Sequence, residues 1–299
     1  MNKIRIITSI LFLLVIVFWT YIFSNSKSDK QTLVLNTIIE TQKLEIEKLK
    51  KKEEIMAKIE KYRNIKRKII ENKLKDDLQK LKSQKDSETQ VKVDIKKEIL
   101  SEKILDIKFY SQFPLDIATW IKYEEPYQNF CEESSLLNWY YYLTWKQPSL
   151  NEYDKDLLKL KKIEDLILVW WYKHSSLENT LKSLIAFQDD NQKVFWEIIE
   201  NPTIEVIKEN ISKWNPIIVP LYWKWLTNPL FRDWWPIYHN LIIKGFKNDI
   251  FIVNEVWVSN WDWFKYKQNE LMENIYNYDS KLYPNNFTKW KQEILILYK

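Results

Sequence analysis

A chain of 299 residues that contains a single glycine, Gly245, has almost no cheap way to turn through left-handed backbone. Average usage predicts about twenty glycines in a chain of this length. An AT-rich genome depresses glycine, but it does not explain the sixteen tryptophans that accompany the deficit. Several of these stand in turn contexts: Trp145 before Lys146-Gln147-Pro148, Trp214 before Asn215-Pro216, and Trp234-Trp235 before Pro236. Glycine fits such positions and tryptophan does not. The pattern predicts a bacterial gene in which UGA is read as glycine and has been written here as tryptophan. UGG codons at Trp145, Trp214, Trp234 and Trp235 would contradict it.

The sequence divides into three parts. Ile6 to Phe23 is an apolar run broken by Thr8, Ser9 and Thr20 and preceded by Lys3 and Arg5. It is long enough for a membrane span, and Tyr21 to Ser26 offers no small-residue cleavage pattern. A signal-anchor over residues 1–27 is therefore expected, with the remainder outside the cytoplasm. Between Gln31 and Leu105 there is neither proline nor glycine. Leu35, Ile38, Ile39, Ile46, Leu49, Ile55, Ile59 and Tyr62 recur at helical spacing among alternating Lys and Glu. Residues 28–103 thus read as a coiled-coil-like helical stalk able to form a homo-oligomer. A break is expected near Ser83 to Thr89.

Residues 104–299 change character. Ile104 to Tyr110 alternates like a strand, Cys131 to Leu143 reads as a helix, and helical material continues to Leu184. Thr203 to Lys213 forms another short helix. Strand-like runs then follow at Pro216–Tyr222, His239–Lys244, Ile250–Asn254 and Glu293–Tyr298. Helices first and antiparallel strands later indicate an α+β domain.

Charge and cysteine usage exclude several functions. The net charge of +5 is the balance of 46 cations and 41 anions. These are interspersed, as on a solvated helix, and not clustered as a nucleic-acid partner requires. One cysteine permits neither an internal disulfide nor a multi-thiolate metal site. A lone cysteine is ordinarily a small buried hydrophobe. Cys131, however, opens a helix, where the dipole favours a thiolate. His239 opens a downstream strand, and Asn254-Glu255 ends the next one. A nucleophile, a base and a side chain that orients the base need this kind of arrangement. His174 reads as a surface or helix-end residue.

Three groups of residues resemble the peptidase C-39-like family of papain-like cysteine peptidases. They are Tyr110-Ser111-Gln112 with Asn129-Phe130-Cys131-Glu132 and Tyr141 to Trp145; Trp214-Asn215-Pro216 to Val219; and His239 to Phe246 with Asn254-Glu255-Val256-Trp257. The family carries glycine where this chain has Trp145, Trp214 and Trp257, and proline where it has Val256. The resemblance covers about residues 105–298. It implies a papain-like fold, helices packed on an antiparallel sheet, with Cys131 as nucleophile and His239 as base. It implies Gln112 as oxyanion donor, with Gln128 a second choice, and Asn254 or Glu255 as the third member. No metal or organic cofactor is implied. The expected partner is a peptide or protein substrate, cell-envelope peptides among them. The alternative is a catalytically inactive peptidase-like binding module on a membrane-tethered stalk.

Overall fold

The computed structural model describes residues 29–85, 101–114, 126–167, 174–188, 194–222, 226–228, 238–257, 262–282 and 286–299. The anchor expected over residues 1–27 and the turn at Trp234-Trp235 lie outside them. Among the described residues no helix is long and apolar enough to cross a membrane.

The charged, glycine-free stretch forms one helix, α1 (Asp29–Lys85). The chain divides into two units, residues 1–54 and 55–299. In the first, the described helix presents Leu44 and Ile46 to solvent and carries spaced ion pairs such as Lys43–Glu40. Exposed pairs of this kind contribute little to stability. In the second, Ile55, Ile59 and Tyr62 are buried in the same core as the C-terminal strands. The Tyr62 ring lies 5.7 Å from that of Trp196, and Lys58 Nζ donates to the Gln188 carbonyl at 2.5 Å. Spacings of three and four put these side chains on one helix face. The core therefore draws on residues well before 104.

Among the described residues, the rest of the second unit forms a seven-stranded antiparallel sheet with helices. Its strands are β1 (Glu102–Ile104), β2 (Phe195–Glu200), β3 (Ile217–Tyr222), β4 (Tyr238–Lys247), β5 (Ile250–Asn254), β6 (Phe264–Lys267) and β7 (Glu293–Tyr298). They run in the order β2-β7-β3-β4-β5-β6, with β1 added to β4. Its helices are α2 (Cys131–Thr144), α3 (Leu150–Ile167), α4 (Leu177–Phe187), α5 (Ile204–Ser212) and the short α6 (Gln268–Glu273). A mixed helix and antiparallel-sheet fold is thus what the chain forms. The start of α3 is fixed by a capping box: the Ser149 N–H donates to Glu152 Oε2 at 2.8 Å, and the Glu152 N–H donates to Ser149 Oγ at 3.3 Å. Thr203 Oγ1 caps α5 by accepting from the Val206 N–H.

The strand expected over Ile104–Tyr110 is confined to Glu102–Ile104. Leu105 and Ile107 are buried as the alternation requires, but Tyr110 is buried out of that phase, because the backbone has left the sheet. The Asn138 side chain supplies the missing partner, accepting from the Tyr110 N–H at 2.8 Å and donating to the Tyr110 carbonyl at 2.8 Å. Gly245 is needed where β1 meets β4. A Cβ there would lie 2.8 Å from the Lys103 carbonyl oxygen.

If the α1 face is core, Ile59→Ala lowers unfolding free energy by about 2–5 kcal/mol. Ile46→Ala, on the exposed part of the helix, changes it by less than about 0.5 kcal/mol. Urea unfolding followed by tryptophan fluorescence compares the two, and equal effects would mean that the helix is only a spacer.

Candidate active site

Strand β4 positions the site. Its pairing with β3 places Asn240 opposite Pro220, whose carbonyl accepts from the Tyr276 N–H on the other side of β3. The 220–240 pair is thus one of the non-hydrogen-bonded pairs of the ladder. A proline costs nothing there, and the Asn240 N–H points towards the β5 side. Strand β5 ends at Asn254, opposite Ile242, so nothing in β5 receives that N–H. Instead it points at the Cys131 thiol at the start of α2. The sulfur therefore sits beside the backbone of the residue that follows His239.

His239 and Asn240 point to opposite faces of the sheet. Ile242 and Asn254 are register partners and share the face of Asn240. Glu255 falls on the face of His239. Its Oε1 meets His239 Nε2 in a buried pair, and its Oε2 accepts from Tyr266 Oη at 3.3 Å. Asn228 Nδ2 in turn donates to Tyr266 Oη at 2.8 Å. Burial, then the Glu255 charge, pushes the Tyr266 phenol well above its ordinary value, so it stays a donor. With a carboxylate accepting at Nε2, the proton of a neutral imidazole sits on that nitrogen and Nδ1 is the basic one. Of the two neighbours at the end of β5, only Glu255 reaches the imidazole. Asn254 is buried, and neither atom of its carboxamide has a partner among the described residues.

Gln112 is brought to the same region. Its N–H donates to the Val256 carbonyl at 2.9 Å, and its Nε2 donates to the Tyr127 carbonyl at 2.8 Å. Tyr127 lies in the short 3-10 turn Tyr127–Asn129 that leads into α2. One Nε2 hydrogen of Gln112 remains for another acceptor. Gln128 is half-buried in the same turn. Trp257 closes this side: its ring lies 6.4 Å from that of His239 and 5.5 Å from that of Phe113.

No family model matches the chain, and no curated protein matches it. Among solved structures it is similar to one from Bacillus anthracis, provisionally described as a C39-like peptidase. The TM-score is 0.41 at 10% identity, over 66% of this chain and 98% of that one.

The immediate neighbour of the thiol is a residue that helical spacing could not single out. Cys131 Sγ donates to Glu132 Oε2 at 2.8 Å, while Glu132 Oε1 accepts from the Ser175 N–H at 3.0 Å. His174 is not a surface residue. It is buried between Tyr238 and Tyr278, and its Nδ1 lies 3.7 Å from Glu132 Oε1. The Cys-Glu dipeptide was visible in the sequence, but the loop that folds His174 back onto it was not. Burial first, then the Glu132 carboxylate, pushes the Cys131 thiol well above its ordinary value, and the Asn240 N–H opposes this.

Because Cys131 is the sole cysteine, alkylation reads it alone. Its rate should rise only at a pH above the titration of an ordinary thiol, near 8.5. Glu132→Gln removes the repelling charge and should move that rise to lower pH. A rise already complete below neutral pH in the unaltered chain would contradict the Glu132 contact.

Proposed function

We propose that the protein is a cysteine peptidase, hydrolysing peptide or related amide bonds through Cys131, His239 and Glu255. The observation that supports this reading best is the buried His239–Glu255 pair, carried on the strand whose next backbone N–H points at the only thiol in the chain.

The roles follow from the chemistry. The Cys131 thiol gives its proton to His239 Nδ1, and the sulfur attacks the substrate carbonyl carbon. The resulting oxyanion is received by the backbone N–H of Cys131 and the remaining Nε2 hydrogen of Gln112. A donor of this kind is worth about 3 kcal/mol of barrier. His239 then protonates the departing amine, leaving a thioester on Cys131. Water, deprotonated by His239, attacks the thioester and releases the acid and the thiol. Glu255 keeps the imidazole in the tautomer and orientation that these transfers need. Tyr266 and Asn228 hold Glu255 in turn. In the resting arrangement Glu132 holds the thiol proton, and substrate entry shifts the sulfur from Glu132 to His239. The reading includes a membrane tether at residues 1–27, which brings peptides outside the cytoplasm within reach.

A binding module without turnover is the second reading, favoured by the Glu132 contact and by Trp257 against His239. The two are separated by exposing a peptide library to the chain. A peptidase loses cleavage in Cys131→Ala, while Glu255→Gln lowers kcat by about 10²–10⁴-fold. If nothing is cleaved, and peptides bind the original chain and Cys131→Ala equally, the binding module is correct.

A further inference from the structure

Five described residues adopt left-handed backbone: Trp145 (φ 58°), Asn201 (51°), Trp214 (66°), Asn248 (54°) and Asn286 (63°). Three are asparagines, whose short polar side chain tolerates that region. The other two are tryptophans, for which it is a steric outlier.

Both tryptophans occupy the same place in the same motif. At the end of α2 the Lys146 N–H donates to the Tyr141 carbonyl at 3.0 Å and the Trp145 N–H to the Tyr142 carbonyl at 3.4 Å. At the end of α5 the Asn215 N–H donates to the Asn210 carbonyl at 3.0 Å and the Trp214 N–H to the Ile211 carbonyl at 3.0 Å. These are the two bonds of a Schellman turn, and its left-handed residue is usually glycine. Two helices therefore end at the position with the strongest call for glycine, and each has the bulkiest side chain there.

Packing does not compensate. Trp145 is 82% exposed and Trp214 59% exposed. The Lys103 ammonium lies over the Trp214 ring, 3.2 Å from its centroid. Both indoles border a cavity of about 580 Å³ that His239 does not line. Gly245 makes the contrast plain. It is not left-handed and is required for space alone. The written chain has glycine where a Cβ would collide and tryptophan where the backbone torsion excludes one.

We infer that Trp145 and Trp214 are glycines in the protein as its own cells make it, through a UGA codon read as glycine. The inference rests on the helix ends and stands apart from the peptidase reading. Its consequence for the site lies at Trp257, which covers one side of His239 and Phe113. A glycine at 257 opens the imidazole to a substrate chain, and the cavity bordered by the two exposed indoles loses those walls.

Peptide mass spectrometry of the protein purified from its source cells tests this directly. Glycine at 145 and 214 is expected, and tryptophan at both overturns the inference even if the codons are UGA. Glycine at these two with tryptophan at 257 upholds the helix ends and overturns the opening of the site. A second measurement uses the chain with its written tryptophans, made in an ordinary host. Trp145→Gly and Trp214→Gly should each raise Tm by roughly 2–4 °C, and a fall in both would remove the steric basis of the inference.

Discussion

The antiparallel pairing of β4 is the constraint on which the rest of the domain depends. Its ten residues pair with β3 along one end, with β5 along the other, and with β1 beyond the bulge between Ile243 and Gly245. Each pairing stops at a different residue, and each stop has a consequence. Where β3 ends, Gly245 lets β1 come close enough to continue the edge. Where β5 ends, the strand from Tyr238 to Leu241 keeps a free side, and the N-terminus of α2 closes it. A buried N–H without an acceptor costs about 1–3 kcal/mol. The Cys131 sulfur lies on that side of the strand, where the Asn240 N–H favours its thiolate.

The helix start that holds the thiol also concentrates negative charge. Glu132 and Glu133 occupy its first turn, and Glu164 of α3 is buried close to Glu133. Burial pushes both Glu133 and Glu164 up; Glu164 reinforces this at Glu133, while the hydrogen bond with Glu133 opposes it at Glu164. A helix N-terminus stabilises an anion by about 0.3–1 kcal/mol when exposed and up to about 2 kcal/mol when partly buried. Three carboxyl groups and a thiol compete for that benefit, and the sulfur is the weakest acid among them. The net direction for Cys131 is therefore upward, although a cysteine at a helix N-terminus considered alone should go down. The same local feature, read without its neighbours, gives the wrong sign.

Much of this architecture was legible because it follows from periodicity. The start of α2 at Cys131 and strands β3, β4, β5 and β7 fall within a residue or three of their expected bounds. Three things were not legible, each for a physical reason. Strands β2 and β6 are half-exposed and carry Glu197, Lys265 and Lys267 among their apolar residues, which weakens the signal of burial. Ile55, Ile59 and Tyr62 continue the stalk pattern without a change of composition. Their apolar partners, Trp196 against Tyr62 among them, tell where the helix becomes core. The contacts of His174 with Glu132 and with Tyr238 join residues more than forty positions apart, and no spacing rule reaches that far.

The choice between Asn254 and Glu255 shows how a fact too fine for motif matching becomes simple in a sheet. The two are adjacent in sequence, and either could orient an imidazole. Register decides between them: Asn254 pairs with Ile242, an odd number of residues from His239, and so its side chain leaves by the other face. Shifting β5 by one residue would exchange them, but it would also change which β5 side chains meet Leu241, Ile242 and Ile243 of β4. All three are fully buried, as are Val253 and Phe251 on β5. The apolar side chains of the two strands thus fix which carboxyl or carboxamide group meets His239. The identity of the polar partner is set by hydrophobic packing several residues away, and the buried His239–Glu255 contact inherits its permanence from that packing.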